Sequence, residues 1–162
     1  AYDWLILNED YVPGNVGMTA FSAGGGAAIA FADEDGIGAL WLDSAVLDFP
    51  LVVENELGRL GYPTIFAGPA ITVGGWLAGV DLDERSPLEA AEKAGNRPVF
   101  LTHGLEDARV SLEHSERFRD SMIDNGGNVT TWFVEDRAHV DAIWGESTEY
   151  QMHLAQFFSV LS

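Results

Sequence analysis

The stretch that decides the reading is residues 16–32, VGMTAFSAGGGAAIAFA. Val16–Phe21 has the composition of a strand, Ser22–Gly26 turns the chain, and Ala27–Ala32 continues as a helix of small residues. A serine on so sharp a strand-to-helix turn is held in a strained backbone conformation, and its hydroxyl stands free above the sheet. Strand and helix nearly touch there, so the positions two before and two after the serine must be small. Ala20 and Gly24 meet that requirement, with Ala20 in place of the first glycine of the usual Gly-x-Ser-x-Gly pattern. Ala23, at the helix start, would present its N–H to a developing oxyanion. The plainer reading of the same residues is a glycine-rich turn whose serine caps a helix.

Outward from this turn, short apolar runs alternate with helical stretches. Residues 1–11 are helix-like, and Pro13-Gly14-Asn15 ends them. Ile37–Leu42, Pro98–Thr102 and Val129–Val134 are three more strands, and Pro98–Thr102 has almost no alternation, as a strand buried on both faces should. A helix is expected over Leu112–Asp124, stopped by Asn125-Gly126-Gly127. Another spans Thr148–Leu161, with Tyr150, Leu154, Phe157, Phe158 and Leu161 on one stripe. Strands separated by helices make βαβ units, so the fold class is α/β, a parallel sheet of about four strands. Residues 45–85 carry nine of the Gly and Pro residues with no lasting period and read as a cap of short helices over the strand ends. The whole of 1–162 reads as one domain.

Two later loops share the rim of Ser22. His103-Gly104-Leu105-Glu106-Asp107 follows the third strand and sets a carboxylate at the ligand-binding end of a parallel sheet. Glu135-Asp136-Arg137-Ala138-His139 follows the fourth and sets an imidazole in the equivalent loop. A serine hydroxyl is a poor nucleophile at neutral pH and needs a base, which in turn needs a carboxylate to hold its tautomer. Asp43, at the end of the second strand, is the alternative acid, or else caps the following turn. His103 is a lesser candidate for the base and otherwise bonds locally, while His114 and His153 fall on polar helical positions and are expected to face solvent. Phe66, Ile71, Trp76 and Leu77 either line an acyl pocket or form the cap's own small core, and Phe21 is expected with Phe66 and Trp76 on the substrate side.

In the order Ser22, Asp107, His139 the chain resembles the α/β-hydrolase superfamily, and its motifs are similar to those of the Bem46-like group. Leu42-Asp43-Ser44-Ala45, Arg59-Leu60-Gly61-Tyr62-Pro63, Ser86-Pro87-Leu88-Glu89-Ala90-Ala91, His139-Val140-Asp141-Ala142 and Glu149-Tyr150 carry the likeness over nearly the whole chain. The usual Pro-Gly-Ala-Gly before the histidine is here Glu135-Asp136-Arg137-Ala138. The resemblance implies a serine hydrolase for carboxylic esters, with amides or peptides as further substrates. Ser22 would be the nucleophile, Asp107 the acid, His139 the base and Ala23 an oxyanion donor. It also implies that the chain holds only the C-terminal half of an eight-stranded sheet. The strand 16–21 edge would then be open to a homodimer, and the loop with the second oxyanion donor would be missing. Losing one such donor typically costs about 10²–10³ in turnover, so weak activity is expected. A non-catalytic remnant serving as a binding or oligomerisation module is the alternative.

Composition narrows the partners. Acidic residues number 26 against 8 Lys and Arg, a net charge of −18 that repels nucleic acid and anionic membranes. There is no cysteine, so disulfides and thiol chemistry are excluded. The histidines lack metal-ligand spacing, and no cofactor or metal is expected. Asp33, Glu34 and Asp35 read as a solvated turn, and Gly24–Gly26 lacks the lysine of a phosphate loop. No apolar run reaches the length of a membrane span and no signal-peptide core is present, so a cytoplasmic location is expected.

Overall fold

The computed structural model describes residues 2–9, 11–31, 36–79 and 87–161. The acidic turn at 33–35 and the end of the expected cap at 80–85 lie outside them. In chain order the elements are α1 (Tyr2–Asn8), β1 (Val16–Phe21), α2 (Gly24–Phe31), β2 (Ile37–Asp43), α3 (Phe49–Arg59), a 3-10 turn (Thr64–Phe66), α4 (Ala67–Ala78), α5 (Pro87–Ala94), β3 (Val99–Gly104), α6 (Glu113–Asp124), β4 (Val129–Val134), α7 (Ala142–Gly145), α8 (Ser147–Phe158) and a last 3-10 turn (Ser159–Leu161). The four strands pair in parallel in the order β1-β2-β3-β4. All four therefore end on one rim.

Side-chain alternation divides the core between the two faces of this sheet. Leu40 and Leu42 of β2 and Val99 and Leu101 of β3 point to one face, where Ala28, Ile29, Ala90, Ala91, Ala94, Phe118 and Met122 of α2, α5 and α6 cover them. Trp41 and Phe100 point to the other and stack at 4.1 Å with their rings nearly parallel, under Tyr150, Leu154 and Phe157 of α8. β2 and β3 are thus buried almost throughout, while β1 and β4 are half exposed. Among the described residues β1 has one strand neighbour. A cavity beside it is lined by Asn15, Gly17, Thr19, Phe158 and Leu161.

Local signals account for the helix ends. Gly126 takes φ +71, its N–H donates to Ile123 O, and Gly127 N–H donates to Met122 O. That reciprocal pair is the glycine stop expected at 125–127. Helix α2 begins at Gly24, three residues earlier than the small-residue run predicts. A first helical turn needs no donors of its own, so three glycines there cost less than in a helix interior.

Two histidines are placed differently from the expectation. His114 is wholly buried: its Nδ1 accepts the Asp48 N–H at 3.2 Å. Asp48 caps α3 by accepting Leu51 N–H, and its other oxygen takes Arg117 at 2.9 Å. Helix α6 thus holds the start of the 49–78 helical segment. His153 lies half buried against the Trp132 and Phe100 rings.

Burial pushes the His114 imidazole down to about 4, and the repulsion of His103 and Arg117 adds to this against the attraction of Asp48 and Glu113. Between pH 6.5 and about 4 the unfolded chain therefore takes up a proton that the native protein refuses. Stability is unaffected by this group above pH 6.5 and falls as the pH drops through the window, by up to about 3 kcal/mol. Urea unfolding at pH 7 and pH 5 should show a shallower loss for His114→Gln than for the wild type; equal losses would remove His114 as the cause.

Candidate active site

Ser22 sits between β1 and α2 with φ +50, a left-handed conformation that few residues other than glycine adopt. Main-chain bonds hold it there: its N–H donates to Asp43 O at 3.0 Å, and its carbonyl accepts Gly25 N–H at 3.0 Å and Val46 N–H at 2.9 Å. The steric demand falls one residue later than the pentapeptide suggests. A Cβ on Gly24 would meet only Ala20 Cβ, at 3.9 Å, whereas one on Gly25 would lie 2.4 Å from Ala45 Cβ. The close approach is between α2 and the loop after β2.

The Asp107 loop winds around its own carboxylate. Oδ1 accepts the Arg109 and Val110 N–H groups, both at 2.9 Å, and Oδ2 lies 2.7 Å from His139 Nδ1. Burial opposes ionisation of this carboxyl. Hydrogen bonds from His103, Val110, His139 and Arg109 outweigh it and hold Asp107 well below the usual carboxylate range. An ionised carboxylate only accepts, so Nδ1 of His139 carries the proton. Its Nε2 is left with a lone pair, 2.9 Å from Ser22 Oγ. The hydroxyl, the imidazole and the carboxylate form one hydrogen-bonded chain.

Three further features place His139, none of them evident from local sequence. Gly104 ends β3 under the His139 loop, and a Cβ there would come within 2.2 Å of Arg137 O and 2.5 Å of Ala138 O. The contact is backbone on backbone, and Glu106 N–H donates to Arg137 O across it. Asp136, where the related motif has glycine, takes φ +55, and Arg137 pairs with Glu146 at 2.5 Å. Val140, also at φ +55, donates its N–H to Ser44 Oγ at 3.2 Å.

Asp43, the alternative acid, is engaged elsewhere. It is fully buried, with Oδ1 accepting from Ser44 at 3.1 Å and Oδ2 from the Tyr150 hydroxyl at 2.9 Å, which itself accepts Trp41 Nε1–H. Burial raises its carboxyl, against the hydroxyl bonds and the neighbouring His103 and His139. His103 is also fully buried with both ring nitrogens bonded, which rules it out as a solvent-facing base. Of the residues considered for an acyl pocket, Ile71 is buried, whereas Phe66, Trp76 and Leu77 are 55%, 81% and 73% exposed and form no core. Phe21 is 37% exposed beside Ser22. Ala23 is exposed at the α2 start, and its N–H is taken by no described residue. Among the described residues no three His, Cys, Asp or Glu side chains gather as metal ligands, and no helix is long and apolar enough to cross a membrane.

Four parallel strands flanked by helices, with this rim, make an α/β-hydrolase fold. Residues 72–159 match the prolyl oligopeptidase family, and the chain belongs to it. That stretch takes in Asp107 and His139 and leaves out Ser22. Among solved structures, an esterase of Pyrococcus furiosus is similar with a TM-score of 0.70 and 21% identity, over 97% of this chain and 57% of that one. A puromycin-hydrolyzing peptidase of Mycobacterium tuberculosis gives 0.76 and 23%, over 99% of this chain and 24% of that one. An acylaminoacyl peptidase of Pyrococcus horikoshii gives 0.68 and 20%, over 96% and 25%. The chain thus spans little more than half of the esterase and about a quarter of either peptidase. No curated protein matches its sequence.

Gly104→Ala should drive the His139 loop off the end of β3 and destabilise the protein by about 1–3 kcal/mol, as overpacking does. Denaturant titration measures the loss, and the His139 ring resonances should shift with it. A variant as stable as the wild type would show that the two loops part freely.

Proposed function

We propose that the chain is a serine hydrolase that transfers an acyl group to water through Ser22. The observation that carries this reading is the hydrogen-bonded run from Ser22 Oγ through His139 to Asp107 Oδ2. Ser22 Oγ attacks the substrate carbonyl while its proton passes to His139 Nε2, and Asp107 balances the imidazolium. His139 then gives that proton to the leaving group as the tetrahedral adduct collapses to an acyl-enzyme. Water repeats the sequence in reverse, with His139 as base, and frees Ser22. The Ala23 N–H supports the oxyanion in both halves.

Carboxylic esters are the proposed first substrates, because an alkoxide leaves with less assistance than an amine. The family supports amides and peptides as further ones, since both an esterase and peptidases share the fold.

A fluorophosphonate probe should label the wild type at Ser22 and leave folded Ser22→Ala unlabelled. Hydrolysis of p-nitrophenyl butyrate should vanish in Ser22→Ala and fall on the order of 10³–10⁴-fold in Asp107→Asn, where the imidazole tautomer is no longer held. Equal rates for the wild type and Ser22→Ala would favour a non-catalytic binding module on the same fold.

A further inference from the structure

His103 is the one imidazole in direct reach of Asp107 besides His139. It is the penultimate residue of β3, just before Gly104, and wholly buried. Its Nε2 lies 2.9 Å from Val110 O and 3.3 Å from Asp107 Oδ2, and its Nδ1 lies 2.8 Å from Ser115 Oγ. A carbonyl and a carboxylate can only accept, so Nε2 must carry a proton. Ser115 can donate or accept and adapts to whatever Nδ1 requires. The 3.3 Å separation is long for a hydrogen bond, as expected where one N–H is shared between two oxygens.

We infer that His103 is a positioning residue, whose Nε2–H ties the Asp107 loop to β3 and fixes the oxygen that His139 uses. This rests on the acyl-transfer reading of Asp107 and His139. Val110 makes the tie mechanical: its N–H donates to Asp107 Oδ1 while its carbonyl accepts from His103. A shift of the loop would break both bonds together. The shared N–H confines Oδ2 in particular, leaving it one direction in which to receive His139 Nδ1–H. Of the hydrogen bonds that keep Asp107 ionised against its burial, the one from His103 is the largest contributor. Without it the carboxylate keeps its two main-chain donors on Oδ1 but loses its fixed bearing toward His139.

The ring nitrogens can be read in the wild-type protein by two-bond 1H–15N correlation. A protonated Nε2 on His103 is expected, and a bare Nε2 with the proton on Nδ1 overturns the inference without any variant. His103→Leu should weaken or abolish the downfield resonance of the His139 Nδ1 proton, and His103→Gln, which restores an N–H near Nε2, should recover it. In ester hydrolysis His103→Leu should lower kcat about tenfold with KM unchanged, the scale of one hydrogen bond to a charged group. A folded His103→Leu protein with the wild-type His139 resonance overturns the inference. A wild type in which Ser22 is never labelled overturns the acyl-transfer reading instead, and leaves the His103 proton to be judged by the spectra alone.

Discussion

In the proposed reaction His139 accepts a proton from Ser22, which requires its other nitrogen to be held by something that does not move. That requirement explains why so many main-chain bonds converge on Asp107, a residue in a loop. Two N–H groups on Oδ1 and two imidazoles around Oδ2 leave the carboxylate one orientation. The parallel sheet supplies the setting: strands running one way deliver their exit loops to one rim, so residues 22, 107 and 139 meet although 117 positions separate the outer two.

The same rim collects the backbone strain of the described residues. Ser22, Ser44, Asp136 and Val140 are the non-glycine residues with positive φ, and they follow β1, β2 and β4. Each such conformation costs on the order of 1–3 kcal/mol unless its surroundings impose it. Here the surroundings do. Ser22 N–H continues the ladder onto Asp43 O, Ser44 N–H reaches Thr102 O, and Val140 N–H reaches Ser44 Oγ. Val140 thus leans on Ser44, while Ser22 and Ser44 are fastened to neighbouring strand ends, and the strain is borne at the rim rather than in the core.

The fold was largely legible in the sequence because β2 and β3 are unbroken apolar runs and the helices end on readable stops. That Ser22, Asp107 and His139 would reach one rim was legible too, through their strand-exit positions. What escaped was everything set by distant contact. His114 occupies a polar position on α6 and gives no local sign that Asp48, 66 residues away, will bury it. The pentapeptide pointed to Gly24 as the tight position, but the tight approach is from Gly25 to Ala45, on another loop. Gly104 reads as an ordinary turn glycine until Arg137 and Ala138 are laid over it. The departure at 135–138 proves tolerable in the fold because aspartate is among the few side chains that accept a left-handed backbone, and Arg137 is fastened by Glu146.

Two carboxylates lie near His139, Asp43 at the end of β2 and Asp107 in the loop after β3, and their surroundings set them apart. Asp107 is met by N–H donors, which favour its anion strongly enough to overcome burial. Asp43 is met by the hydroxyls of Ser44 and Tyr150, which favour its anion less, and burial there prevails and raises it. Tyr150 is in turn pushed up by its own burial and by Asp43, so its hydroxyl keeps the proton it donates. Environments that drive paired acids apart assign them different tasks. Asp107 is the one committed to negative charge, as the role proposed for it beside His139 requires. Asp43 serves the rim through Ser44, whose oxygen holds the main chain at Val140, next to the histidine that the other carboxylate orients.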